Sequence, residues 1–96
     1  MGDNVAIAAR RLEAGTQVAL ASGDVVLSHT ILEGHRFAAE PIARGEFLLS
    51  WGLPFGVASR AIAPGEYVTN PGMLEAMHGR SIDFALPEAP NFEDRV

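Results

Sequence analysis

One short glycine-centred pattern occurs four times in this sequence, and it restricts the possible folds more than any other feature. Each copy has an aliphatic residue, two further residues, a glycine, two residues and a second apolar residue, and the copies begin at Leu12, Ile31, Ile42 and Ile62. Glycine takes a positive φ without a Cβ clash. Each copy therefore predicts a tight turn between an apolar anchor and a strand.

The spacing of the copies predicts two similar halves. Glycines 15 and 45 are 30 residues apart, and glycines 34 and 65 are 31 apart. Pro64-Gly65 suits a type II turn, because proline fixes φ at the first central position and glycine accepts the positive φ at the second. We expect the same bend in the other copies, and a groove between the two halves.

Short apolar runs between the turns predict an antiparallel, all-β fold with short helical turns. The strand-like runs cover residues 5–8, 18–20, 24–27, 47–51 and 67–69. Helical periodicity is weak, and it favours one turn near residues 37–39 and another over residues 73–77.

Composition excludes several classes of protein. The chain has 96 residues, a formal net charge of −5 and no cysteine, so it fits one domain without disulfides or thiolate metal sites. Its seven basic residues are scattered, which argues against a nucleic-acid partner. No apolar run approaches the roughly 20 residues that cross a bilayer, and no basic leader precedes an apolar run. We expect a cytoplasmic protein without a membrane partner.

The sequence divides at residue 86. Residues 1–86 carry the turns and strand-like runs, whereas residues 87–96 are acidic and proline-rich and are typical of a linker or docking tail. Phe92 has two interpretations. It anchors the tail on a partner, or the tail packs on its own domain or is disordered.

Chemistry-bearing residues are few. The three histidines lack metal-ligand spacing, so we predict no metal site within the chain. His35 follows a turn glycine and precedes Arg36, which places an imidazole and a guanidinium together; the alternative is a solvent-facing turn histidine.

The segment from Trp51 to Gly56 suits a ligand surface or core packing, and packing is favoured because a small domain has to bury its one tryptophan.

The order of these motifs resembles the SAF domain of the altronate and galactarate dehydratase family over nearly the first seventy residues. That family typically reads Asp-Asn-Val-Ala, Gly-His-Lys-Phe, Tyr-Gly and Gly-Glu-Trp-Val. The corresponding stretches here are Asp3-Asn4-Val5-Ala6, Gly34-His35-Arg36-Phe37, Trp51-Gly52 and Gly65-Glu66-Tyr67-Val68. The resemblance implies a β-clip fold.

The resemblance also implies a function: a small module or subunit of a sugar-acid dehydratase, which eliminates water from a small anionic hydroxy carboxylate together with a larger catalytic domain or subunit. His35 and Arg36 would contact the substrate carboxylate or assist proton transfer, and Trp51 and Gly52 would help bind substrate. The complete enzyme would use a divalent metal, iron, that this domain does not bind alone.

One departure keeps a second interpretation open. After Val68 the family commonly has His-x-His-Asn, whereas this chain has Thr69-Asn70-Pro71-Gly72. The alternative is a non-catalytic SAF-like module that binds a carbohydrate or a partner. The sequence does not decide whether the chain forms a homo-oligomer.

Overall fold

Seven strands and one helix form the regular structure of the residues that the computed structural model describes, which are 3–21, 23–80 and 82–94. In chain order they are β1 Val5–Ile7, β2 Gln17–Leu20, β3 Gly23–Val26, β4 Arg36–Ala38, β5 Phe47–Ser50, β6 Leu53–Ala58, α1 Pro71–His78 and β7 Phe92–Asp94. All pairings are antiparallel: β1 with β4, β2 with β3, and β6 between β5 and β7. The predicted all-β fold class is confirmed.

The four turns adopt the same bend, as the glycine pattern predicts. Their glycines have φ values of 84°, 83°, 88° and 87° in chain order. In each turn the backbone N–H that follows the glycine donates to the carbonyl oxygen three residues earlier, at 3.0 to 3.1 Å. In the last two copies the carboxylates of Glu46 and Glu66 also accept the N–H groups of Ala43 and Ala63, each at 2.6 Å. Local backbone chemistry therefore fixes all four turns.

The two predicted halves are visible as a repeated set of backbone contacts. Leu12 bridges Ile31 in the first half, and Ile42 bridges Ile62 in the second. Corresponding hydrogen bonds recur after 30 or 31 residues: Gly15 N to Leu27 O matches Gly45 N to Ala58 O, and Gly34 N to Ala8 O matches Gly65 N to Ala38 O. The chain thus uses one pairing scheme twice.

A groove lies between the halves. Its cavity of about 440 Å³ is lined by Ser28 and His29 from the first half and by Arg60, Glu66 and Tyr67 from the second, with residues 87–89 alongside. The predicted groove is therefore present. The Arg60 guanidinium pairs with the Glu66 carboxylate at 2.9 Å, and the Ser28 hydroxyl lies 2.8 Å from the His29 imidazole, so its polar groups largely partner one another.

The core consists of two apolar clusters filled from both halves. The anchors Ile31, Ile42 and Ile62 are almost fully buried, whereas Leu12 is half-buried. One cluster contains Val5, Ala38, Ile42, Leu48, Ala58, Ile62, Val68 and Phe92. The other contains Ala8, Val25, Leu27, Ile31, Phe37, Tyr67 and Met77. Burial of the anchors explains why each turn begins with an aliphatic residue.

The structure decides between the two interpretations of Phe92. Phe92 is 5% exposed and pairs with Ala58 as β7 adds to β6. The side chain of the preceding Asn91 accepts the Thr69 N–H at 2.9 Å and donates to the Tyr67 carbonyl at 2.8 Å. Residues 91–94 therefore pack on their own domain. Residues 95 and 96 lie outside the described residues, and the division at residue 86 with a linker role for 87–96 stays a prediction.

Two helical turns are predicted, and one is present. The helix over residues 73–77 is confirmed as α1, whose N-terminus is capped by the Asn70 side chain accepting from the Met73 N–H at 2.7 Å. The prediction of a helical turn near residues 37–39 is wrong, because Arg36–Ala38 forms β4. Phe37 and Ala38 are both buried, so β4 lacks the alternation that identifies a strand. No helix among the described residues is long and apolar enough to span a membrane.

Replacing a turn glycine by alanine should have very different costs at two equivalent positions. At Gly34 an added Cβ would meet no atom within 4 Å, so Gly34→Ala should lower the free energy of unfolding only by the cost of a positive φ, about 1 to 2 kcal/mol. At Gly65 the Cβ would also collide with the carbonyl oxygen of Val26. We expect Gly65→Ala to cost about 3 kcal/mol or more in urea unfolding. Equal costs would contradict the close packing at Gly65.

Candidate substrate-binding site

His35 and Arg36 lie side by side where the second turn leads into β4, and both line a cavity of about 220 Å³. The rest of the lining consists of Gly34, Phe55, Val68, Met73 and Phe92. The cavity thus places one guanidinium and one imidazole in a largely apolar surrounding. Two nitrogen donors in such a setting suit an anionic group.

The Arg36 guanidinium is held on two sides. Its Nε donates to the Oγ of Ser50 at 3.2 Å, and its Cζ lies 4.9 Å from the centroid of the Phe55 ring. Phe55 is itself packed edge-on against Phe92, with ring centroids 5.4 Å apart. These contacts engage Nε and one face of the guanidinium. The two terminal nitrogens are the groups that a carboxylate would engage in a bidentate pair.

His35 forms a short hydrogen bond with Tyr67. The Nδ1 of His35 lies 2.6 Å from the Tyr67 hydroxyl oxygen, and the two rings meet edge to face with centroids 5.9 Å apart. Burial lowers the pKa of His35 from its ordinary 6.5, and the positive charges of Arg80 and Arg36 lower that pKa further. Burial also raises the pKa of the Tyr67 phenol. Both groups are therefore neutral near pH 7.

Trp51 and Gly52 form the two-residue turn that joins β5 to β6. Their φ values are 57° and 73°, which matches a type I′ turn with positive φ at both central residues. Neither residue lines the cavity of His35 and Arg36. The favoured interpretation of Trp51 as a core residue is wrong, since its side chain is 79% exposed. A residue at the tip of a two-residue hairpin has no element above it to pack against.

The Asp3-Asn4 pair fastens the start of the domain to this hairpin. The Asp3 carboxylate accepts the N–H groups of Trp51 and Gly52 at 2.9 and 2.8 Å, and these bonds lower the pKa of Asp3. The Asn4 side chain donates to the Phe47 carbonyl and accepts from the Leu49 N–H, each at 2.8 Å. The Asp-Asn motif thus has a structural role that its position in the sequence does not reveal.

The residues after Val68 do not form a metal site. Thr69 is fully buried, and its hydroxyl oxygen has no hydrogen-bond partner among the described residues. Asn70 caps α1, and Pro71 begins it. Within residues 3–21, 23–80 and 82–94, no cluster of three or more His, Asp or Glu side chains is placed to hold a metal ion. The part of the chain that the structure describes therefore offers no ligand set for the divalent metal that the resemblance implies for the complete enzyme.

Comparison with known proteins identifies the domain. Residues 1–74 match the family described as the altronate/galactarate dehydratase SAF domain. The chain belongs to this family. It is also 41% identical over 66 residues to altronate dehydratase of Escherichia coli strain K12, a match that covers 69% of this chain and 13% of that enzyme. The family resemblance seen in the sequence is confirmed, and this SAF domain corresponds to a small part of a much larger relative.

Two residues that hold the side chains of this cavity, Ser50 and Tyr67, were not predicted as site residues, whereas Phe55 lies in the segment 51–56 that was predicted to suit a ligand surface or core packing. A signal for Tyr67 was present, because Tyr67 and Arg36 hold the same position in the fourth and second copies of the repeat. The bridge between Phe37 and Tyr67 brings these two copies together. Ser50 offered no such signal, because the register of β5 and β6 shifts between Leu48 and Leu49.

Trp51→Asn should stabilise the SAF domain. Asparagine adopts a positive φ more readily than tryptophan and is preferred in type I′ turns, and the exposed indole contributes little packing. We expect the free energy of unfolding in urea to rise by about 0.5 to 1 kcal/mol. Trp51→Phe keeps the strained aromatic residue and should leave stability unchanged. A loss of stability in Trp51→Asn would show that the indole makes contacts that hold the fold.

His35 should make stability depend on pH. Because its pKa in the folded chain is below the ordinary 6.5, the unfolded chain binds the proton more readily. Stability should therefore fall as the pH drops through 6.5, and this loss should be complete once the pH is below the folded pKa. His35→Gln, measured by urea unfolding across this range, should show a weaker decline. An unchanged slope would contradict the lowered pKa.

Proposed function

We propose that this SAF domain is the small module or subunit of a sugar-acid dehydratase and that it binds the substrate carboxylate at His35 and Arg36. The observation that supports this most directly is the cavity that joins an anchored guanidinium to a neutral imidazole. The substrate class is suggested by the relative, which is an altronate dehydratase. Altronate is a polyhydroxylated carboxylate, so its acid group matches the charge that Arg36 would recognise.

Local charge favours an anion even though the chain is acidic overall. Arg36 and Arg80 both act on His35, as the lowering of its pKa shows. Of the two, only Arg36 lines the cavity, whose largely apolar surroundings make charge interactions stronger than in water, and Arg80 adds its positive charge from outside that lining. The net charge of −5 is carried by the chain as a whole. A small anion would therefore bind where the local field is positive.

The dimensions of the cavity suggest a shared site. A volume of about 220 Å³ is smaller than the roughly 300 to 1,000 Å³ typical of ligand pockets. The domain spans only 13% of its altronate dehydratase relative. We infer that this cavity holds the carboxylate end of the substrate, while a larger catalytic portion encloses the carbon atoms that react.

In this division of roles the SAF domain orients the substrate. Elimination of water requires a base that removes the proton next to the carboxylate and an acid that protonates the departing hydroxyl. The neutral imidazole of His35 is suited to donate a hydrogen bond to the substrate during these transfers. A divalent metal, iron by family resemblance, would be held by the larger portion, where it would act as a Lewis acid.

The β5–β6 hairpin is the surface that we expect to face this larger portion. Trp51 and Leu53 at its tip are 79% and 68% exposed. Ser50, the last residue of β5, accepts the hydrogen bond from Arg36, which links the hairpin directly to the cavity. A portion seated on the tip would therefore also border the bound carboxylate.

The proposal can be tested in a chimera of the E. coli altronate dehydratase in which the matching segment is replaced by this chain. We expect the chimera to eliminate water from altronate. Arg36→Gln should raise the KM for altronate by about 10- to 100-fold, because a charge-assisted pair with the carboxylate is lost. Arg36→Lys should have an intermediate effect, since it keeps the charge and loses the planar fork.

Arg44→Gln is the matched control, because Arg44 is an exposed arginine in the third turn that does not line the cavity. It should leave KM within about twofold of the unmodified chimera. Equal effects of Arg36→Gln and Arg44→Gln would contradict carboxylate binding at Arg36. A folded chimera without activity would instead favour the alternative of a non-catalytic SAF domain that binds a carbohydrate or a partner.

A further inference from the structure

We infer that Tyr67 is a positioning residue for His35: its hydroxyl donates to Nδ1 and so fixes the imidazole proton on Nε2, as a hydrogen-bond donor beside Arg36. The fixed tautomer stands on the geometry of the two side chains. The use of that donor for a substrate carboxylate rests on the proposed function. Tyr67 is not part of the site that the sequence predicts, and its hydroxyl is otherwise unexplained.

The direction of the hydrogen bond follows from the groups around the Tyr67 hydroxyl. The imidazole Nδ1 lies 2.6 Å from the hydroxyl oxygen, whereas the thioether sulfur of Met77 lies 3.8 Å away. An unprotonated imidazole nitrogen is a much stronger acceptor than a thioether sulfur. If Nδ1 carried the proton and donated to the hydroxyl oxygen, the phenolic proton would be left with the weak and distant Met77 sulfur, so the arrangement in which the hydroxyl donates to Nδ1 is the more stable one. A neutral imidazole with an acceptor at Nδ1 must carry its own proton on Nε2.

Burial, and after it the charged groups around His35, favour the neutral form of the ring. Arg36 is its neighbour in the chain, and Arg80 acts on it from beyond the end of α1; both are positive and disfavour a second positive charge. Tyr67 itself stays protonated, because burial disfavours the phenolate. The hydroxyl thus remains a donor over the neutral pH range.

The consequence for the cavity is a pair of donors with fixed directions. Nδ1 is occupied by Tyr67, so Nε2 is the ring nitrogen left for a ligand in the cavity that His35 lines. Arg36 is anchored independently by Ser50 and Phe55. A carboxylate needs hydrogen-bond donors, and an imidazole with an unprotonated Nε2 would instead present a lone pair to it. Tyr67 therefore selects the tautomer that suits an anion.

The decisive measurement is a long-range ¹H–¹⁵N NMR correlation spectrum of the labelled chain at about pH 8, above the ordinary histidine pKa near 6.5. We expect His35 to show an unprotonated Nδ1 and a protonated Nε2. In Tyr67→Phe the ratio of the Nε2–H to the Nδ1–H tautomer should fall by about 2- to 12-fold, the effect of one lost hydrogen bond. The His35 pKa should also rise, because the bond stabilises the neutral form.

Met77→Leu is the matched control for the direction of the bond. It removes the competing acceptor and keeps the side-chain volume, so the tautomer ratio should stay as in the unmodified chain. A protonated Nδ1 in the unmodified chain would overturn the inference, and this measurement does not depend on whether any variant folds. An unchanged ratio in Tyr67→Phe, or a changed one in Met77→Leu, would overturn it as well. A merely structural role for Tyr67 would change the melting temperature without changing the ratio.

Titration of the same chain with altronate separates this inference from the proposed function. Altronate binding at the cavity should shift the Nε2 resonance of His35, and Tyr67→Phe should weaken that binding by about 2- to 12-fold. If altronate leaves Nε2 unchanged while the tautomer is fixed, substrate binding by the domain fails and the positioning of His35 stands. If altronate shifts Nε2 equally in both chains, the role of Tyr67 in binding fails.

Discussion

The two halves of this SAF domain are held together at Gly65. Its N–H donates to the carbonyl of Ala38, its own carbonyl accepts the N–H of Ser28, and its Cα approaches the carbonyl of Val26 so closely that no side chain would fit. These contacts join the fourth turn to β3 and β4 and determine where the next residues run. Tyr67, two residues later, is thereby placed under His35. The turn that closes the fold thus also brings Val68 to the lining of the cavity and the Tyr67 hydroxyl to His35.

Electrostatics in the cavity depend on neutral groups as much as on charged ones. Arg36 contributes the guanidinium that an anion would contact. His35 gives up its charge because it is partly buried between two arginines. A protonated imidazole would add attraction for a carboxylate, but it would also repel Arg36 and would be poorly solvated beside the largely apolar lining. A neutral donor beside one permanent cation avoids that cost and still satisfies an anion.

How much the sequence predicts depends on how local each feature is. The four turns were predictable because glycine and its neighbours determine them within a few residues, and the family resemblance followed from the same motifs. The exposure of Trp51 was not predictable from the sequence, because a lone tryptophan in a small domain is usually buried. Only the geometry of the hairpin places this side chain in solvent. His35 and Tyr67 are 32 residues apart in the chain, so their contact depends on how the copies of the repeat pair. The spacing of the copies suggested that pairing, but it does not determine the directions of the side chains.

Under the proposed function, the lining of the cavity gives a reason for the SAF domain to work with a separate catalytic portion. Its polar side chains, Arg36 and His35, are both nitrogen donors in their neutral-pH states, and the other side chains that line it are apolar. Such a set can hold a carboxylate, but elimination also needs a base strong enough to take a proton from carbon. That base has to come from outside the cavity. This chain matches only 13% of altronate dehydratase, so most of that enzyme lies outside the matched segment. The chemistry therefore favours a module that holds the carboxylate beside a separate catalytic portion.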